Sequence, residues 1–103
     1  METIGRTNHT GIKWIVIEEI QQLAKKHHIR QVILFGSRAR GDYSRASDID
    51  LAVKGGDIVQ FSLDVDEKTS TLLMYDVIDL NNKVQDELLD SILTEGIMIY
   101  EKV

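Results

Sequence analysis

Apolar positions fall first into a helical rhythm: Ile12, Val16, Ile20 and Leu23, flanked by Ile17 and Ala24, share one face of a helix predicted from Ile12 to about His28. Trp14 falls away from that stripe, on a side free to meet another protein. The rhythm then changes. Residues 31–35 form a short, nearly unbroken apolar run stopped by Gly36, the pattern of a strand buried on both faces. Residues 48–53 alternate charged and apolar up to Gly55 and Gly56, so a second strand places Asp48 and Asp50 on one face.

Asp57, with Gln60 three residues on, is a predicted N-cap for a helix carrying Ile58, Phe61, Val65 and Leu72 inward and ending near Ser70. A third strand is predicted over residues 73–80, interrupted by Asp76 and Asp79. Asn82 with Gln85 has the form of a capping box for a helix carrying Val84, Leu88, Leu89, Ile92 and Leu93, with Gly96 as its C-terminal cap. Residues 97–100 make a last strand. Residues 1–11 show no period and read as a loose N-terminal arm, leaving residues 12–103 as a single domain. Helix, strand, strand, helix, strand, helix, strand, without a repeat or a proline-rich linker, describes an α/β or α+β sandwich.

At 103 residues the chain has room for one core. It has no cysteine, so disulfide and thiolate-metal chemistry are excluded. No apolar run approaches the roughly 20 residues that span a bilayer, and no secretory signal is visible, which predicts a cytoplasmic protein with no membrane role. The net charge of -5 argues against direct DNA or RNA binding, because affinity for a phosphate backbone is built from Lys and Arg. Yet Arg38, Arg40 and Arg45 crowd one short loop. A local anion site in an acidic protein is the pattern that needs an explanation.

Gly36 and Ser37 directly follow a strand, where glycine allows a tight turn and the next N–H groups and the Ser37 hydroxyl can face an anion. Arg38 and Arg40 add guanidinium forks that match phosphate oxygens. A short loop turns only one of them inward easily, and Arg38 is the expected one. Without further company these residues would make an ordinary turn with solvated arginines.

Asp48 and Asp50 supply that company: carboxylates two apart on a strand lie about 6–7 Å apart at their backbones and can hold one hard cation or straddle two. A third carboxylate, to position or deprotonate an attacking hydroxyl, comes from Asp76 or Asp79. Three apart, these two face opposite sides of a strand, so at most one joins the pair, and Asp76 is nearer the strand's middle. His27 and His28 sit where a helix ends and are read as partners of its dipole. Tyr43, inside the motif loop, is left as a rim residue or a contact to a base.

Read together, Gly36-Ser37-Arg38-Ala39-Arg40-Gly41 and Ser47-Asp48-Ile49-Asp50-Leu51 resemble the nucleotidyltransferase motif of the DNA polymerase β superfamily, and most of all its minimal nucleotidyltransferases. The resemblance covers nearly the whole chain and implies an α+β fold: a small mixed sheet with helices packed on it. It implies nucleotide contacts from Gly36, Ser37, Arg38 and Ser47, and magnesium, two ions, held by Asp48, Asp50 and Asp76. Asp76-Val77-Ile78-Asp79 is similar to the family's Asp-x-x-Asp stretch, which selects Asp76 as the third catalytic carboxylate. Minimal members lack the domain that closes the cleft in larger relatives and pair with a separate helical protein of the HEPN type.

The resemblance therefore implies a magnesium-dependent enzyme that moves AMP from ATP to a hydroxyl, a tyrosine of a HEPN-type toxin, and so serves as the antitoxin. Two other functions compete with it: an antitoxin that neutralises its partner by binding alone, and a nucleotidyltransferase acting on a small molecule. An exposed Trp14 and an incomplete cleft favour association, homo- or hetero-oligomeric.

Overall fold

The computed structural model describes residues 2–3 and 9–103. Four strands carry the sheet: β2 (Gln31–Phe35), β3 (Ile49–Lys54), β4 (Tyr75–Asp79) and β5 (Ile97–Glu101). A two-residue strand, β1 (Glu2–Thr3), pairs in parallel with β5, so part of the predicted arm joins the sheet. The rest of that arm up to residue 8 lies outside the described residues, whereas Thr10 and Ile12 are buried. The strand order is β1-β5-β2-β3-β4, with β2 antiparallel to β3 and β5, and β3 parallel to β4. This is the mixed sheet of an α+β fold.

Helices α1 (Trp14–Lys26) and α3 (Ile58–Lys68) cover one face. Val16, Ile17, Ile20 and Ala24 of α1 meet Phe61 and Val65 of α3 over Val32, Leu34, Ile49, Leu51 and Val53. Phe61 is fully buried, and its truncation to alanine is expected to cost about 3–5 kcal/mol. Helix α4 (Asp86–Glu95) covers part of the opposite face, where Ile92 packs on Ile33, Phe35 and Ala52. That second face is only half covered. No helix among the described residues is long and apolar enough to cross a membrane.

Several element ends differ from their sequence patterns. α1 starts at Trp14, with Lys13 as N-cap, although Ile12 still joins the core. Asp57 caps α3 as expected, accepting from the Gln60 N–H at 3.1 Å, but the helix stops at Lys68 and leaves Leu72 wholly exposed. β4 is shorter than predicted. The capping box at Asn82 does not form, because the Asn82 side chain donates to Asp79 at 3.2 Å and α4 begins four residues later. Gly96 does close α4 with an N–H bond to the Ile92 carbonyl, yet its φ of -66 is ordinary. Besides β1, the pattern lacks a single helical turn, α2 (Ser37–Arg40), inside the motif loop.

Candidate active site

β2 delivers the motif to its place. Its last residue, Phe35, lies in register with Asp50 of β3, so Gly36 emerges directly beside that carboxylate. Gly36 has φ 76 and ψ -158, a conformation open almost only to glycine. The same position leaves no room for a side chain, since a Cβ there would overlap Asp50 Oδ2 and approach its Cγ to 3.1 Å. Both requirements, conformational and steric, fall on one residue. The carbonyl of Gly36 then accepts from the Ala39 and Arg40 N–H groups, starting α2, and Gly41 ends that turn in the left-handed conformation.

The parallel pairing of β3 and β4 settles which aspartates meet. Asp50 is in register with Asp76, and both lie on the half-covered face with Phe35, Ala52 and Ile78. Asp79 pairs with Val53 and belongs to the other alternation, where its carboxylate accepts from the Asn81 N–H at 2.8 Å and from the Asn82 amide. It closes the turn after β4. Asp48 stands just before β3 and is exposed, as is Asp76, while Asp50 is half-buried between them.

Asp50 carries the electrostatic signature of this arrangement. Burial raises its pKa first, the neighbouring charges of Asp76 and Asp48 raise it further, and only Arg40 acts in the opposite sense. None of the three carboxylates forms a salt bridge among the described residues. A hard divalent cation would suit such a donor set: it would neutralise the repulsion and accept carboxylate oxygen ligands. No group of three or more His, Cys, Asp or Glu side chains among the described residues is already arranged to hold a metal ion. The chemistry of the donors fits magnesium.

Arg38 faces inward, as expected, but toward the protein rather than an anion. It is 2% exposed. Its Nε donates to the Ser47 carbonyl at 2.9 Å, Nη1 to the Thr10 carbonyl at 2.9 Å, and Nη2 to the carbonyls of Ser44 and Arg45 at 3.5 and 3.3 Å. The guanidinium also lies over the Tyr43 ring, 4.8 Å from its centroid. Its forks are thus committed to the loop, which removes the physical basis for using Arg38 as a phosphate ligand. Ser47 has a similar duty: its hydroxyl accepts from the Ser44 N–H at 2.8 Å. Together they fix the loop that leads into Asp48.

Arg40 is the fork that the sequence reading ranked second to Arg38. It is exposed, paired loosely with Asp42 at 3.3 Å and with Glu95 at 3.4 Å, and close enough to Asp50 to act on its charge. An anion arriving at the site can take Arg40 from those solvated carboxylates at little cost. The motif contained both arginines; what the sequence lacked was the direction in which a single helical turn points them. His27 donates nothing to this site. It lies at the far end of α1, 2.7 Å from Asp64 of α3, and holds the Asp64 carboxyl down to about 2.

The profile of the family described as "Polymerase beta, Nucleotidyltransferase" matches residues 18–103. A protein of Methanocaldococcus jannaschii, MJ0604, which carries the name of a protein adenylyltransferase, is 35% identical over 94 residues, covering 81% of this chain and 92% of its own. Among solved structures, a chain of the toxin-antitoxin complex MntA-HpeT superposes with a TM-score of 0.65 at 22% identity, covering 84% of this chain and 73% of that one. A toxin-antitoxin crystallised with AMP-PNP gives the same TM-score at 24% identity, with the same coverage. A nucleotidyltransferase-like protein of Sulfolobus solfataricus gives 0.53 at 22% identity, covering 96% and 93%. At these identities the superpositions speak for the fold.

Proposed function

The chain belongs to the polymerase β nucleotidyltransferase family, and from that premise we propose that it transfers AMP from ATP, with magnesium, to a hydroxyl of a protein, a tyrosine of a HEPN-type helical toxin, for which it is the antitoxin. The observation that carries this reading is Asp50 in register with Asp76, with Gly36 seated on the Asp50 carboxylate. The name of the M. jannaschii relative supports a protein as acceptor, and the nucleotide analogue in a similar complex supports ATP.

In the proposed reaction an acceptor oxygen bonds the α-phosphorus, the bond from that phosphorus to pyrophosphate breaks, and the hydroxyl proton passes to a carboxylate. Asp76 is the carboxylate for that proton: it is exposed, on the outermost strand, and beside Asp50. Gly36 and Ser37 offer the tight turn against which the phosphates lie, and Arg40 takes the anionic oxygens. Asp48, Asp50 and Asp76 would hold magnesium, which when bound would lower the pKa of the attacking hydroxyl and neutralise charge on the leaving pyrophosphate. Arg38 and Ser47 act one step back, holding the loop that aims Asp48.

The test is mass spectrometry of the partner that copurifies when the chain is expressed with its neighbouring gene. Incubated with ATP and magnesium, that partner is expected to gain AMP, and to gain none from the Asp48→Asn/Asp50→Asn double variant. An unchanged mass from a folded wild-type pair would sink the proposal. Neutralisation that persists in the double variant would instead favour inhibition by binding alone.

A further inference from the structure

A cavity of about 1210 Å3 among the described residues is not lined by Asp48, Asp50 or Asp76. It is a groove between the start of α1, the loop after α2 and the segment joining α3 to β4. Ile12, Val16 and Leu73 give it an apolar floor, and the exposed side chains of Lys13, Arg45 and Leu72 stand on its rim. No acidic residue lines it, in a chain whose net charge is -5. Neither Lys13 nor Arg45 has an ion-pair partner among the described residues.

The hydroxyls of Thr69, Ser70 and Thr71 in the groove already have partners. Ser70 is held by both carboxylate oxygens of Glu19, Thr69 donates to the Val65 carbonyl, and the Thr71 hydroxyl accepts from the Leu73 N–H. Tyr43 is covered on one side by Arg38, so it is a poor stacking platform for a base. The charged and apolar groups the groove offers a ligand are Lys13 and Arg45, without ion-pair partners among the described residues, and an aliphatic surface. That surface runs on past the groove, because Leu72 is 102% exposed and Met74 is 65% exposed.

We propose that this groove docks an acidic segment of a partner protein. Its carboxylates meet Lys13 and Arg45, and an apolar or aromatic side chain covers Leu72 and enters over Leu73 and Val16. Charge complementarity selects the occupant: two cations without an ion-pair partner among the described residues, in a lining that holds no acidic residue, favour an anionic partner, and the apolar floor favours a peptide over a polynucleotide. The surface lies apart from the carboxylates and needs neither nucleotide nor metal, so it goes beyond the transfer reaction and does not depend on it.

A random copolymer of glutamate and tyrosine serves as the acidic, aromatic probe, with a lysine–tyrosine copolymer and an oligoribonucleotide as comparisons, all at low salt without nucleotide or metal. Wild-type protein is expected to bind the acidic copolymer and not the basic one. The Lys13→Glu/Arg45→Glu double variant should bind it at least ~10-fold more weakly, and Leu72→Asp should also weaken it, with unchanged melting temperatures because these side chains are exposed. ATP affinity should stay as in wild type. Equal binding by wild type and variants overturns the proposal. So does tighter, variant-sensitive binding of the oligoribonucleotide, or a wild-type dimer that Leu72→Asp dissociates. Failure of the wild type to bind ATP would count against the transfer reaction and leave this surface standing.

Discussion

Gly36 rests on the carboxylate of Asp50, with no space between them for a methyl group. Replacing Gly36 by alanine therefore does two separable things. It strains a backbone held at φ 76 and ψ -158, at a cost of about 1–3 kcal/mol. It also pushes aside the one half-buried carboxylate of the site. Transfer is expected to fall by about 100-fold or more, since small misplacements of reacting groups have effects of that size. Single-turnover kinetics beside a urea melt would separate the two effects. A Gly36→Ala protein with wild-type rates would show that Asp50 has no need of its observed position.

Asp50 makes a prediction about stability that runs against the usual effect of mutating a buried group. Its folded pKa is raised, by burial first and then by Asp76 and Asp48, so the unfolded chain gives up this proton at lower pH than the folded one. Stability contributed here is present below the ordinary carboxylate range and is lost as pH rises through the folded pKa. Asp50→Asn removes that loss. Without metal, the variant should melt at or above wild type at pH 7. Magnesium should raise the melting temperature of wild type but not of Asp50→Asn. A variant that melts lower, or that gains as much from magnesium, would contradict the repulsion described for this site.

Arg38 and Arg40 should separate cleanly. Arg38 is buried and bonds four backbone carbonyls, so Arg38→Lys, which cannot reproduce the planar fork, is expected to cost about 2–4 kcal/mol. Arg40→Ala should leave the unfolding free energy within about 0.5 kcal/mol of wild type, as for a surface pair, and raise KM for ATP. Chemical denaturation and steady-state kinetics on both variants decide the matter. A stable Arg38→Lys protein with a raised KM would reverse the assignment.

Asp64 offers a pH test far from the site. The His27 side chain, and then Gln60 and Lys68, hold its carboxyl down to about 2. The stability this contributes is complete above the ordinary aspartate pKa of about 3.9 and is lost as pH falls through that lower value. Denaturation midpoints of wild type should drop steeply over this acid window, and those of Asp64→Asn should drop less. Parallel curves would show that the α1–α3 contact gains nothing from this pair.

Much of the site was legible because it is local. Asp48 and Asp50 alternate with Ile49 and Leu51 in a pattern that admits one reading as a strand, and Asp76 and Asp79 differ in parity, so only one could face them. The register of β3 on β4 then set Asp76 opposite Asp50. What the sequence hid is non-local. Arg38 is buried because the Thr10 carbonyl, 28 residues earlier, comes to meet its Nη1, and no spacing rule encodes that approach. The start of α4 was misplaced for a related reason: Asp79 draws the Asn82 side chain into the preceding turn and so removes it from the helix. A side chain able to cap a helix caps whichever partner the fold brings nearer.

β4 is the last strand of its sheet, and Asp76 stands on it with no further strand alongside among the described residues. An edge of this kind sets no upper limit on the size of what may approach, so a whole folded protein can present its hydroxyl as easily as a free metabolite can. It also leaves bulk solvent as a rival acceptor. In the proposed transfer, water would compete for the nucleotide until the target covered this edge, and the target's own surface would then be the lid of the site.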